Sequence, residues 1–134
     1  MKLLIVRRDV WTILAVCEEE RCPLYRDLEA LGKRLPGDFA KIMRRFEHFA
    51  ANGPPRNKEL CRELEDGIFE LKAQKGLMRV FFFYDEGRVV VCSHAVQKPK
   101  KKTLRTQISR ARRARKAYLA EKSRDRLVIV KEVP

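Results

Sequence analysis

The chain has no long hydrophobic run. Its longest apolar stretches, "LLIV", "WTILAVC" and "LMRVFFFY", fall far short of the ~20 residues a helix needs to cross a bilayer. No membrane partner is therefore expected. The opening "MKLLIVRRDVW" makes a poor signal peptide, because Arg7, Arg8 and Asp9 interrupt its apolar region. Cysteine is scarce as well. Cys17, Cys22, Cys61 and Cys92 form no C-x-x-C pair and have no histidine at zinc spacing, which fits reduced thiols in a cytoplasmic protein. Internal repeats and glycine–serine linkers are absent, so one domain over residues 1–134 is expected. No cluster of carboxylates suits magnesium, and neither a metal nor a cofactor is expected.

Acidic residues are also in short supply, and unevenly so. The chain carries 31 Lys and Arg against 18 Asp and Glu, a net charge of +13. From Val96 onward there are 14 basic residues against 3 acidic ones, whereas the preceding part is nearly balanced at 17 against 15. A charge this positive favours polyanions, nucleic acid or an anionic membrane surface. With 45% apolar residues the body is nonetheless globular.

"MKLLIV" and "WTILAV" read as short strands rich in β-branched residues. "PLYRDLEALGKRL" begins with a proline suited to a first helical turn, and Leu24, Leu28 and Leu31 recur at helical spacing. "PGDFAKIMRRFEHFAANG" repeats the pattern with Phe39, Ile42, Met43, Phe46 and Ala50 and ends on Asn52-Gly53, a helix stop. His48, between these core positions, reads as structural. "PPRNKELCRELEDG" reads as a connection. Then "GIFELKA", "LMRVFFFY" and "RVVVCSHAV" form an antiparallel meander, its turns marked by the glycines of "QKG" and "DEG". Phe81, Phe82 and Phe83 make the middle strand apolar on both faces, so it must be covered on both. "TLRTQISRARRARKAYLAEK" is an amphipathic helix with an apolar stripe of Leu104, Ile108, Ala111, Ala114, Tyr118 and Leu119, and "RLVIVKEV" a last strand. The basic segment is thus a loop and a docked helix.

Two-residue turns at Lys75-Gly76 and Glu86-Gly87 place Lys72 opposite Arg79 and Arg79 opposite His94, a row across three strands. A slip of one residue moves a partner to the other face. Lys98 and the run Lys100, Lys101, Lys102 leave the third strand just past this row. Lysines and an arginine can bind a phosphate and stabilise charge building on it, and a histidine with an ordinary pKa near ~6.5 can move a proton at neutral pH. RNA brings its own nucleophile, the 2′-hydroxyl. Lys72, Arg79, His94 and Lys98 are therefore the candidate catalytic set, with Lys75, Lys100, Lys101, Lys102, Arg105, Arg112 and Arg113 as RNA-binding candidates. Each residue also has an ordinary reading as a solvated strand charge or a half-buried histidine, and "PKKKTLR" also passes as a nuclear localisation signal.

The order of these pieces from Trp11 to Leu119 resembles the RelE/ParE superfamily of bacterial toxins, most closely its phage-associated HigB-like branch. The resemblance lies in "WTILAV", the helical pair "LYRDLEALGKRLPGDFAKIMRRFEHFAANG", "GIFELKA", "LMRVFFFYDEG", "RVVVCSHAVQKPKKKT" and "ISRARRARKAYL". It implies an α+β fold: a twisted antiparallel sheet of about four to five strands with an N-terminal helical hairpin and a basic C-terminal helix. Residues 1–10 and 123–134 are then extensions. Arg79 matches the family's strand arginine, Lys98 a lysine of its "KK" pair, and His94 falls at or beside its histidine. Lys72 stands where arginine is usual, which keeps the charge but loses the bidentate fork.

By the same resemblance the chain is a type II toxin, an endoribonuclease cutting mRNA on the ribosome, held by a cognate helix-turn-helix antitoxin. Arg79 and Lys72 hold the scissile phosphate, Lys98 stabilises the transition state and His94 shuttles a proton. Two alternatives stay open: a ParE-like inhibitor of DNA gyrase, and a non-catalytic, phage-related nucleic-acid-binding module.

Overall fold

The computed structural model describes residues 1–131. Strands β1 (Lys2–Arg8) and β2 (Thr12–Val16) come first, then helices α1 (Pro23–Arg34) and α2 (Pro36–Asn52). Four strands follow, β3 (Cys61–Glu65), β4 (Ile68–Lys72), β5 (Met78–Asp85) and β6 (Val89–Gln97), and then helix α3 (Lys101–Ser123) and β7 (Val128–Val130). The strand expected over "RLVIVKEV" is thus observed only in part; its residues 132 and 133 lie outside the described residues.

Among the described residues one seven-stranded sheet runs in the order β3-β4-β5-β6-β2-β1-β7, with three helices. This corrects the expected fold on three counts. The sheet is larger than four to five strands. It is not wholly antiparallel, since β2 pairs with β6 and β1 with β7 in parallel. The helical pair is not N-terminal, because β1 and β2 precede it. The extra strand β3 lies in the segment that reads as a connection. Its sequence, CRELE, has little β-propensity, and it holds as an exposed edge by pairing antiparallel with β4.

The sheet is covered on both faces. On one side α1 and α2 bury Leu24, Leu28, Ile42, Phe46 and Phe49 against Val80 and Phe82. On the other, α3 lays Ile108, Ala111 and Tyr118 on Phe81, Phe83 and Val91. The adjacent phenylalanines of β5 thereby go to opposite layers, as a strand's period of two requires. Leu119, expected on the apolar stripe, is 49% exposed, and Phe39 is also exposed. His48 is an exposed side chain rather than a structural one.

The rims are fixed by polar contacts. Asp38, in the first turn of α2, accepts backbone N–H bonds from Leu77 (2.6 Å) and Met78 (2.9 Å). The positive φ of the β4–β5 turn falls on Lys75 (57°) and not on its glycine. Gly76 is needed for space: a Cβ there would sit 2.5 Å from an Asp38 carboxylate oxygen. At the far end, Tyr118 and Lys122 of α3 both donate to the carboxylate of Asp85. Beyond β2, the free edge of β6 is met by Asp27 of α1, which accepts from the Ala95 N–H at 3.3 Å.

Candidate nucleic-acid interface

The face of the sheet under α3 carries the charged residues. Lys72 pairs directly with Arg79, as the two-residue turn predicts. The next partner differs: Arg79 faces Val96, and His94 faces Phe81. Two one-residue shifts cause this. The β5–β6 turn holds residues 86–88, since Asp85 pairs with Val89, and both Gly87 and Arg88 take positive φ there. A bulge at Ser93 adds the second shift. Two slips restore the face, so His94 stays on the side of Arg79 but one row deeper. The expected row of Lys72, Arg79 and His94 is corrected to Lys72, Arg79 and Val96.

That deeper row is Arg62, Glu70, Phe81 and His94. Arg62 Nε donates to Glu70 Oε1 at 2.9 Å, and Lys72 Nζ lies 3.9 Å from the same oxygen. Glu70 is 3% exposed, and it holds Arg62 and Lys72 in one cluster with Arg79 above them. Burial, and next the positive charge of Arg62, lower the pKa of Lys72, and burial likewise lowers that of Arg79. Arg79 is 7% exposed, with Nη1 donating to the carbonyls of Gly76 (2.9 Å) and Met78 (3.1 Å). The turn pinned by Asp38 thus holds the guanidinium in turn.

His94 is fully buried. Ser93 Oγ donates to its Nδ1 at 2.8 Å, and Nε2 donates to Gln107 Oε1 at 2.8 Å. Burial, and next the charge of Arg110, push its pKa down to about 4. With no open face and both nitrogens engaged, the ring ties β6 to α3.

The Lys98 N–H donates to the Leu77 carbonyl at 2.6 Å, which sets it at the rim beside Arg79. Lys100, Lys101 and Lys102 follow at the N-terminus of α3, exposed and with no acidic residue in the first turn. Three lysines at the positive end of a helix repel one another, and an anion relieves that repulsion. A groove of about 340 Å³ between β3 and α3 is lined by Arg62, Lys101 and Arg105, with Glu63 and Glu65 beside them. Lys75 is exposed at the tip of its hairpin. Arg105 pairs with Glu65 at 3.0 Å, and Arg112 pairs with Glu65 and Asp66, so neither is a free cation. Arg113 is exposed.

Glu70 was legible in principle, because it stands two residues before Lys72 and shares its face. Arg62 was hidden with its strand. Among the described residues, no group of three His, Cys, Asp or Glu side chains is placed to hold a metal ion. All four cysteines are free thiols, and no helix among the described residues is long and apolar enough to cross a membrane.

Taken with the sheet and its cationic rim, the sequence from α1 into α3 defines the class. Residues 26–116 match the family described as Phage derived protein Gp49-like (DUF891). The chain belongs to this phage-derived family, a RelE-type, toxin-like one. No curated protein matches the chain. Lys72, Arg79, Lys98, Lys100, Lys101 and Lys102 fall within the matched residues, whereas β1, β2 and β7 lie outside them.

Proposed function

We propose that the chain is the toxin of a type II toxin–antitoxin module, of the HigB-like branch, and that it cuts mRNA with no metal. The observation that supports this most is the direct opposition of Lys72 and Arg79 on one sheet face, both braced and partly desolvated. Donors fixed before the reaction act more strongly on developing charge than mobile surface cations do.

Arg79 and Lys72 hold the scissile phosphate. The 2′-hydroxyl of the preceding ribose attacks phosphorus and gives its proton to water. Arg79 follows the charge on the pentacoordinate phosphorus, and Lys98 offsets charge on the departing 5′-oxygen, which takes a proton from water. The products are a 2′,3′-cyclic phosphate and a 5′-hydroxyl. His94 has a structural part here, as the tie beneath the site. A cognate helix-turn-helix antitoxin, the ribosome and mRNA are the partners this reading requires, in the cytoplasm.

The test is induced expression in bacteria, followed by primer extension on a reporter transcript. Growth arrest with new 5′ ends in the transcript is the expected result. Arrest with intact transcripts and stalled gyrase would move the chain to the ParE-like class. No arrest would leave a non-catalytic binding module.

A further inference from the structure

On the sheet face opposite the Lys72–Arg79 pair, at the β3 edge, lies a second concavity of about 1050 Å³. Its apolar wall is aromatic: Trp11, Phe69 and Tyr84, each partly exposed. Their rings pack edge to face, Trp11 on Tyr84 at 5.9 Å and Tyr84 on Phe69 at 4.8 Å. Trp11 is anchored further by the bond of its backbone N–H to the Ala50 carbonyl (2.8 Å) and by edge contact of its ring with Phe49 at 5.7 Å. Gly53 lets the end of α2 approach, since a Cβ there would lie 3.1 Å from the indole nitrogen. The rim is cationic, with Arg56, Lys58 and Arg88 exposed around it. Its one acid, Glu63, is engaged with the Gly67 N–H at 2.9 Å.

We propose that this cleft binds single-stranded nucleic acid, taking bases on the aromatic wall and phosphates on the Arg56, Lys58 and Arg88 rim. Rigid aromatic rings interleaved with cations are what an unpaired strand requires, because every base has a π-face and every linkage a charge. The cleft is also continuous with the cleavage face. Arg62, on edge strand β3, lines both this cleft and the groove under α3. A strand leaving Lys72 and Arg79 passes round that edge into the cleft. Trp11 lies outside residues 26–116, so the aromatic wall is completed by a segment that the family match does not include. The inference rests on the reading that the chain acts on single-stranded RNA, and it adds where the rest of the strand lies.

The chain has a single tryptophan, so its emission reports on this wall alone. The probe is a short 2′-O-methyl oligonucleotide carrying a fluorescent label. It is uncleavable because the attacking oxygen is blocked, and binding is thus read apart from catalysis. Saturable quenching of Trp11 that tracks the anisotropy of the label is expected. Arg56→Ala combined with Arg88→Ala should weaken binding and lower the salt slope by about two units, one per lost phosphate contact. Lys72→Ala combined with Arg79→Ala should abolish cleavage of ordinary RNA and leave the quenching in place. The cleft is overturned if the probe binds without changing Trp11 emission, if the Arg56 and Arg88 variant binds like the parent, or if the probe does not bind. Quenching by an acidic peptide and not by the probe overturns it too, in favour of a protein partner. A chain that cuts RNA without quenching refutes the cleft and spares the cleavage reading; quenching without cleavage does the reverse.

Discussion

His94 donates its Nε2 proton to Gln107 Oε1 across 2.8 Å, which fastens β6 to the basic helix α3. The ring lies against Phe81 with centroids 5.1 Å apart, and Ser93 closes its other nitrogen. This buried, neutral arrangement has a consequence in acid.

The pKa of His94 falls from 6.5 to about 4 in the folded chain. Between those values the unfolded chain takes up a proton that the native state refuses. Stability therefore falls as pH drops through this window and is fully present above it, by up to ~3 kcal/mol. Urea midpoints between pH 7 and pH 4 should show the loss in the parent, and a smaller one in His94→Gln. Parallel curves for the two proteins would mean that His94 is not held neutral.

Arg79→Ala should reduce cleavage about 10²–10³-fold, the usual cost of losing one donor to developing charge, while RNA binding largely survives. Arg113→Ala should leave the rate per bound complex intact. Single-turnover cleavage separates the two effects, with circular dichroism showing that each variant folds. If folded Arg79→Ala cuts near the parent rate, the Lys72–Arg79 pair serves the fold and not the reaction.

Binding to RNA should weaken steeply as salt rises, because Lys and Arg contacts release counterions. The two neighbouring arginines of α3 should differ. Arg112 is already paired with Glu65 and Asp66, whereas Arg113 is exposed. Arg113→Ala should lower the salt slope by about one unit, and Arg112→Ala by less. Equal slopes for the two variants, measured by titration at several salt concentrations, count against the ion pairs of Arg112.

Asp38 touches no proposed substrate, yet it holds the hairpin that carries Arg79. Asp38→Ala leaves two N–H groups without their acceptor and should cost ~1–3 kcal/mol of stability. It should also slow cleavage through misplacement of Arg79. Asp38→Asn, which keeps an acceptor oxygen, should recover part of both. A destabilised Asp38→Ala with an unchanged kcat would show that the turn does not set the guanidinium.

Much of this arrangement is written locally. The leucines of α1, the apolar spacing of α2 and the stripe of α3 each dictate a helix, because one face must be buried at a period of 3.6. The consecutive phenylalanines of β5 demand cover on both faces, and α2 and α3 supply it. The register that a two-residue turn at Lys75-Gly76 predicts, Lys72 opposite Arg79, holds, although the turn itself closes by the Gly76 N–H on the Ala73 carbonyl. Other features depend on partners distant in the chain. Nothing in CRELE announces a strand until β4 offers its edge, and this hid Arg62. The parallel pairing of β2 with β6 joins segments separated by two helices and three strands, so no local pattern announces it. Three turn residues and a bulge at Ser93 moved the partner of Arg79 from His94 to Val96. An inserted residue in a strand leaves composition and alternation almost unchanged, so only the paired backbone reveals it. The same holds for His94: its sequence neighbours supply Ser93, but Gln107 and Phe81, which take it out of water, arrive only when α3 and β5 close over it.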